Sequence, residues 1–192
     1  MIMTFTEISE KAGDRLRELV TLPTLIAVSS CIGNEKYSNA SELLDSIGRS
    51  VLDNSDVEYF AEATVAKKAD PVKTAEMRLK NGFNTGGKNV DMKKPPEWSE
   101  LHTSTRNFRY KMHSWVMLDT LLSADEKSEE NKYLDFAVNI AYDWIKNFIL
   151  QQKTDEFAWY DMAVGQRATK LPYILFRLIQ NKAPKELIFH FI

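Results

Sequence analysis

Cysteine is nearly missing from this sequence, histidine is sparse and neither sign of charge dominates, and each scarcity removes a class of function. The single cysteine, Cys31, can form no internal disulfide and cannot build a cysteine-based zinc site by itself. Three histidines are too few for a rich metal cluster, and no paired-histidine motif, nucleophile elbow or dinucleotide fingerprint occurs. Neither a metal nor a cofactor is therefore expected. With 25 Lys+Arg against 27 Asp+Glu the formal charge is -2, so no overall basic field gathers nucleic acid. A membrane-spanning helix needs about 20 apolar residues, yet the most apolar stretch, Leu19 to Ile32, is interrupted by Thr21, Pro23, Thr24, Ser29 and Ser30. The charged segment before it is too long and too acidic for the start of a signal peptide. A cytoplasmic protein with no membrane partner is the expectation.

What the sequence does contain is helical periodicity over most of its length, with few segments alternating at period two. Ser41 to Asp53, capped by Ser41, and Val57 to Lys68 read as helices. Asp70-Pro71 starts another that reaches Leu79 and stops at Asn81-Gly82. Residues 81 to 98 hold three glycines and adjacent prolines without helical period, and read as one long connection. Gly86-Gly87-Lys88 lacks the spacing of a phosphate loop. From Asn107 to Leu122 the residues Phe108, Met112, Trp115, Leu118 and Leu122 form one stripe, predicting a continuous helix. Glu129 to Gln151 repeats the pattern, and the short link Ser123 to Ser128 makes the two antiparallel neighbours. A third helix, Met162 to Asn181, is expected to turn Val164, Ala168, Leu171, Leu175 and Leu178 inward and to bend at Pro172. The chain is read as a single helical domain over residues 1–192.

Polar and aromatic residues concentrate in four places: Trp98 to Arg109, including His102 and Asn107; Tyr110 to Trp115, including His113; Phe157 to Asp161, including Trp159 and Tyr160; and Gln166, Arg167 and Lys170. Arg167 falls on the border of the apolar stripe. Its planar fork could meet a carboxylate or sulfate ligand, or could pair with Asp161 or another acid at the edge of the core. Trp159 and Tyr160 suit either core anchoring or the face of a sugar. His113 suits either packing or proton transfer, with Asp161 or Glu97 as its acidic partner. Asp161 is also placed to cap the helix that follows it. Spacing alone identifies no reaction.

The string Thr105-Arg106-Asn107-Phe108-Arg109-Tyr110-Lys111-Met112-His113-Ser114-Trp115-Val116-Met117-Leu118-Asp119 resembles a helix start in the N-terminal domain of heparinase II/III-like polysaccharide lyases. Phe157-Ala158-Trp159-Tyr160-Asp161, followed by Arg167 at helical distance, resembles that domain's second signature, and Asp143-Trp144-Ile145 fits between them. The resemblance covers about Ala69 to Gln180. It implies an all-α fold, an incomplete (α/α) toroid of antiparallel helical hairpins, and β-elimination on a uronic-acid-containing glycan. It places Arg167, Trp159, Tyr160, His113, Trp115 and Asn107 on or near the groove for an acidic polysaccharide or oligosaccharide. The family's catalytic Asn-His pair is absent from this sequence, as is its C-terminal β-sheet domain, so the catalytic residues are unknown. The expectation is an N-terminal piece that binds glycan with little or no turnover. The alternative is a helical interaction module that docks a missing C-terminal half or a second copy, through an exposed apolar end near Phe189 to Ile192.

Overall fold

In the computed structural model of this protein, residues 70–85, 88–184, 187–188 and 190–191 are described. The helices expected over 41–53 and 57–68 lie outside them. The chain divides into two compact units, Met1–Val57 with Leu175–Ile192, and Glu58–Ile174. Among the described residues the protein is mostly helical, with one two-stranded ladder, and no helix is long and apolar enough to cross a membrane.

Helix α1 (Pro71–Asn81) follows its sequence signals closely. Asp70 Oδ1 accepts the amides of Val72 at 3.0 Å and Lys73 at 3.2 Å, satisfying N–H groups that the first helical turn leaves open. Pro71 fills a position whose missing N–H costs nothing. At the other end Gly82 adopts φ +83° and donates its amide to Arg78. A side chain there would also collide with Asn89, 2.5 Å from an added Cβ.

The long connection is more ordered than its composition predicts. Strands β1 (Phe83–Asn84) and β2 (Asn89–Val90) pair antiparallel, and Trp98–Thr103 forms a 3-10 turn. Two residues per strand are too few to show an alternating pattern.

The stripe Phe108, Met112, Trp115, Leu118 and Leu122 is buried as expected, but the helix is not continuous. Helix α2 (Arg106–His113) stops and α3 (Leu118–Glu126) begins anew. Trp115 sits between them in the left-handed region, φ +58°. Its amide bonds to Met112 O, and the Val116 amide reaches back to Lys111 O, both at 3.2 Å. That pair of bonds is a Schellman termination, which usually has glycine at this position. Holding a tryptophan there costs about 1–3 kcal/mol of backbone strain, so the placement of its indole must repay it.

Helix α3 is the central element. Every residue from Leu118 to Asp125 is buried, and it packs against both α1 and α4 (Lys132–Ile145). The α3–α4 link is Lys127–Asn131 rather than residues 123–128, because α3 runs on to Glu126. The chain leaves α4 through one π turn, Lys146–Leu150, short of the single helix expected to reach Gln151.

Helix α5 (Asp161–Gln180) occupies the expected span with Pro172 inside it, but it faces the other way. Val164 is 42% exposed and Ala168 is exposed, while Leu171 and Leu175 are half-buried. The buried face instead carries Ala163, Arg167, Lys170 and Ile174, with Leu178 buried as expected. The orientation follows from two cations that find partners only inside the fold. Lys170 Nζ is 3.0 Å from Asp119 Oδ1 on α3, with both side chains almost wholly covered, and it also donates to the Gln166 carbonyl and Oε1. One turn on, Tyr173 donates its hydroxyl proton to Asp125 at 2.8 Å. A buried pair is strongly destabilising when only one partner is removed. Urea unfolding should therefore show Lys170→Met losing about 3 kcal/mol, with most of that restored when Asp119→Leu is added.

Candidate functional site

The polar and aromatic groups converge where α2, the segment Asp155 to Tyr160 and the first turns of α5 meet, all within the Glu58–Ile174 unit. Thr105 caps α2 by accepting the Phe108 amide at 3.3 Å. The first turn of α2 carries Arg106, Asn107 and Tyr110 on its outward side, where they are exposed or half-buried, and buries Phe108.

At the centre lies Arg167, only 4% exposed. Among the described residues no carboxylate pairs with it, so the expected alternative partner, Asp161, is not used. Nη1 donates to the His113 carbonyl at the end of α2, and Nη2 donates to the Ala158 carbonyl at 2.6 Å. The guanidinium lies 4.1 Å from the ring centre of Trp144, 6.0 Å from that of Trp115 and 5.9 Å from that of Trp159. Indole faces attract a desolvated cation by about 2 kcal/mol at close range. Burial lowers the guanidinium well below its ordinary value, to about 10, which leaves it charged at neutral pH. Trp115 and Trp144 meet edge to face at 5.6 Å, and this packing is what the strained backbone at Trp115 secures.

His113 is wholly buried. Its Nδ1 accepts the Trp144 indole N–H at 3.1 Å, so the neutral ring carries its proton on Nε2. Nε2 faces Asp155 Oδ1 at 3.4 Å, a charge-range approach rather than a short hydrogen bond. Neither Asp161 nor Glu97 partners it, and its ring is covered in the manner of a packing residue. Asp155 is held by the Phe157 amide at 2.9 Å and by Arg109 at 3.0 Å, while the other arm of Arg109 reaches Glu156 at 3.1 Å. Burial works to raise the Asp155 carboxyl, but the Phe157 amide, His113 and Arg109 outweigh it and hold it below its ordinary value.

A further set of bonds fixes the back of the cluster. Trp98 donates to Asp143 at 2.6 Å and stacks on His113 at 5.8 Å. Asn147, on the π turn, donates to the Asp143 carboxylate at 3.0 Å and receives Lys153. Among the described residues no group of His, Cys, Asp and Glu is arranged to hold a metal ion.

The six residues expected at a groove thus separate into two layers. Arg167, His113 and Trp115 are buried support. Trp159 is 57% exposed, Asn107 is exposed and Tyr160 is half-buried. Asn107 and Tyr160 line an open hollow of about 350 Å³ together with Arg106, Tyr110, Phe157 and Met162. Its aromatic walls meet edge to face, Tyr110 with Tyr160 at 6.2 Å and Phe157 with Tyr160 at 5.9 Å. Arg106 lies over Phe157 at 5.8 Å and has no carboxylate partner among the described residues. The sequence placed Arg106 only within the polar run Trp98 to Arg109, and gave no reason to single out Asp155. An aspartate two residues before Phe157, amid other polar residues, gives no local sign that it will be buried. His102 belongs to the Trp98–Thr103 3-10 turn.

Compared with protein-family models, curated proteins and solved structures, the chain matches none of them.

The buried imidazole has a measurable consequence. Burial foremost lowers His113 from its ordinary 6.5 to about 4, against the opposing pull of Asp155, and Arg167 and Arg109 act in the same direction as burial. Between those values the unfolded chain binds a proton that the folded chain refuses, so stability falls as pH drops from 6.5 towards 4, by up to about 3 kcal/mol. Asp155, held below its ordinary value, extends the loss to lower pH. Denaturant unfolding at pH 7, 5.5 and 4.5 should show this decline, and His113→Gln should make the slope shallower by about one proton.

Proposed function

We propose that this protein is the helical, toroid-type portion of a heparinase II/III-like polysaccharide lyase, and that it binds a uronic-acid-containing polysaccharide or oligosaccharide at the hollow between α2 and residues 157–162. The observation that carries this reading is the pairing, on one open surface, of aromatic faces with a guanidinium that has no carboxylate partner among the described residues: Arg106 beside Tyr110, Phe157 and Tyr160. A uronate presents a planar carboxylate that a guanidinium fork matches, and a pyranose ring whose C–H face packs on aromatics. Asn107 adds a side chain that both donates and accepts hydrogen bonds with hydroxyls. Trp159 offers an exposed ring next to the hollow. Arg167, His113 and Trp115 serve this surface from beneath. No catalytic step is assigned to any residue of the chain.

The test is calorimetric titration with oligogalacturonate and alginate oligomers, using cello-oligosaccharides as the neutral control. Uronate oligomers should bind and cello-oligosaccharides should not, with affinity falling as salt rises. Arg106→Ala, Tyr160→Ala and Trp159→Ala should each weaken binding about tenfold, or about 1.4 kcal/mol. No binding to any uronate oligomer, or equal binding by all three variants, overturns the reading.

A second reading, a helical module that docks another protein chain, draws on Met162 and Val164. These are 57% and 42% exposed on the outward face of α5, beside Trp159. Concentration-dependent light scattering that Met162→Gln with Val164→Gln abolishes would favour it over the glycan.

A further inference from the structure

We infer that Arg167 is a positioning residue, which sets the geometry of the binding surface without touching the ligand. The inference rests on the glycan-binding reading and goes beyond it by reassigning a residue that the family resemblance placed on or near the groove. The hollow has two walls. One is α2, with Arg106, Asn107 and Tyr110; the other is the segment from Phe157 to Met162. Arg167 ties one to the other through main-chain atoms, since Nη1 holds the His113 carbonyl at the end of α2 and Nη2 holds the Ala158 carbonyl between Phe157 and Trp159.

Both ends of the fork are therefore committed, and the side chain is 4% exposed. A carboxylate could reach its remaining N–H groups only by breaching the indoles around it. Trp159 forms the outer side of that enclosure. Its ring is 5.9 Å from the guanidinium and 5.8 Å from Trp144, yet it stays 57% exposed. The cation thus fixes the indole that faces solvent. Arg109 makes a parallel tie through side chains, to Asp155 and Glu156, whereas Arg167 bonds to the backbone carbonyl beside Trp159. Lysine keeps the charge and loses the fork, because one ammonium cannot lie flat on an indole and hold two carbonyls on separate segments.

The test compares the wild type, Arg167→Lys, Trp159→Ala and the double variant in oligogalacturonate titration, with tryptophan emission and acrylamide quenching recorded on each. Arg167→Lys should bind about tenfold more weakly despite its unchanged charge, with a shifted emission that reports a displaced Trp159. The double variant should bind no worse than Trp159→Ala alone. Unchanged affinity and emission in folded Arg167→Lys, or losses that simply add in the double variant, overturn the inference. Phenylglyoxal labelling of the wild type gives an answer that does not depend on the variants folding. Arg106 should be modified and then protected by oligogalacturonate, and Arg167 should be unmodified with or without it. Labelling of Arg167 that the oligomer suppresses marks a direct contact and overturns the inference. Wild type that binds no uronate oligomer refutes the glycan reading, and with it this role; wild type that binds while Arg167→Lys matches it refutes the positioning role alone.

Discussion

A guanidinium enclosed by protein without a carboxylate beside it is costly to maintain, and the arrangement around Arg167 is organised to meet that cost. Two carbonyl oxygens, from His113 and Ala158, accept its protons, and the faces of Trp144, Trp115 and Trp159 supply the remaining electrostatic cover. Because the acceptors belong to the backbone, the interaction fixes chain positions rather than side chains. The end of α2 and the segment before α5 are held in register, and the hollow forms between them. The same demand explains why Trp115 accepts a left-handed backbone conformation and why α5 turns Arg167 and Lys170 inward while Val164 and Ala168 face outward.

Lys170 shows the other solution to burying a cation. It meets Asp119 directly, on a helix covered on every side. The two cations sit three residues apart on one helical face, one satisfied by a charge and the other by dipoles and rings. The first arrangement favours stability of the α3–α5 contact. The second leaves a positive centre that no acid pairs among the described residues, close beneath an exposed indole. His113 joins the two kinds of bond, with its carbonyl on Arg167, its Nδ1 on Trp144 and its Nε2 towards Asp155. The neutral tautomer that accepts the Trp144 N–H at Nδ1 turns its Nε2 proton towards Asp155, so protonation of Nδ1 would break the bond to Trp144.

How far the sequence disclosed this differs from residue to residue. Helix α1 was legible at both ends because its signals are local: Asp70 caps, Pro71 starts and Gly82 supplies the positive φ. The break at Trp115 was not legible, since its buried spacing suits an uninterrupted helix and the position that must turn left-handed carries no glycine. The inward face of α5 was misjudged for a related reason. Counting apolar residues assigns Val164 and Ala168 to the core, whereas acceptors on other segments draw in Arg167 and Lys170, and those acceptors come together only in three dimensions. Of the site, the separate polar and aromatic runs that hold Arg167, Trp159, Trp115 and His113 were readable from composition, their gathering at one place was an implication of the family resemblance, and the separation into a covered layer and an exposed one was in neither. Whether Asn107 and Tyr160 share a hollow depends on how α2 lies against the 157–162 segment, which depends in turn on Asp155, Arg109 and the Arg167 tie.

The account turns on Arg167 being charged, dry and sandwiched by indoles in the free protein. Nitrogen-15 NMR of its guanidinium group tests that most directly. The account predicts separately resolved Nη–H signals that exchange slowly with water and are shifted upfield by the ring currents of Trp144. A single averaged signal exchanging at the rate of a solvent-exposed arginine would contradict it.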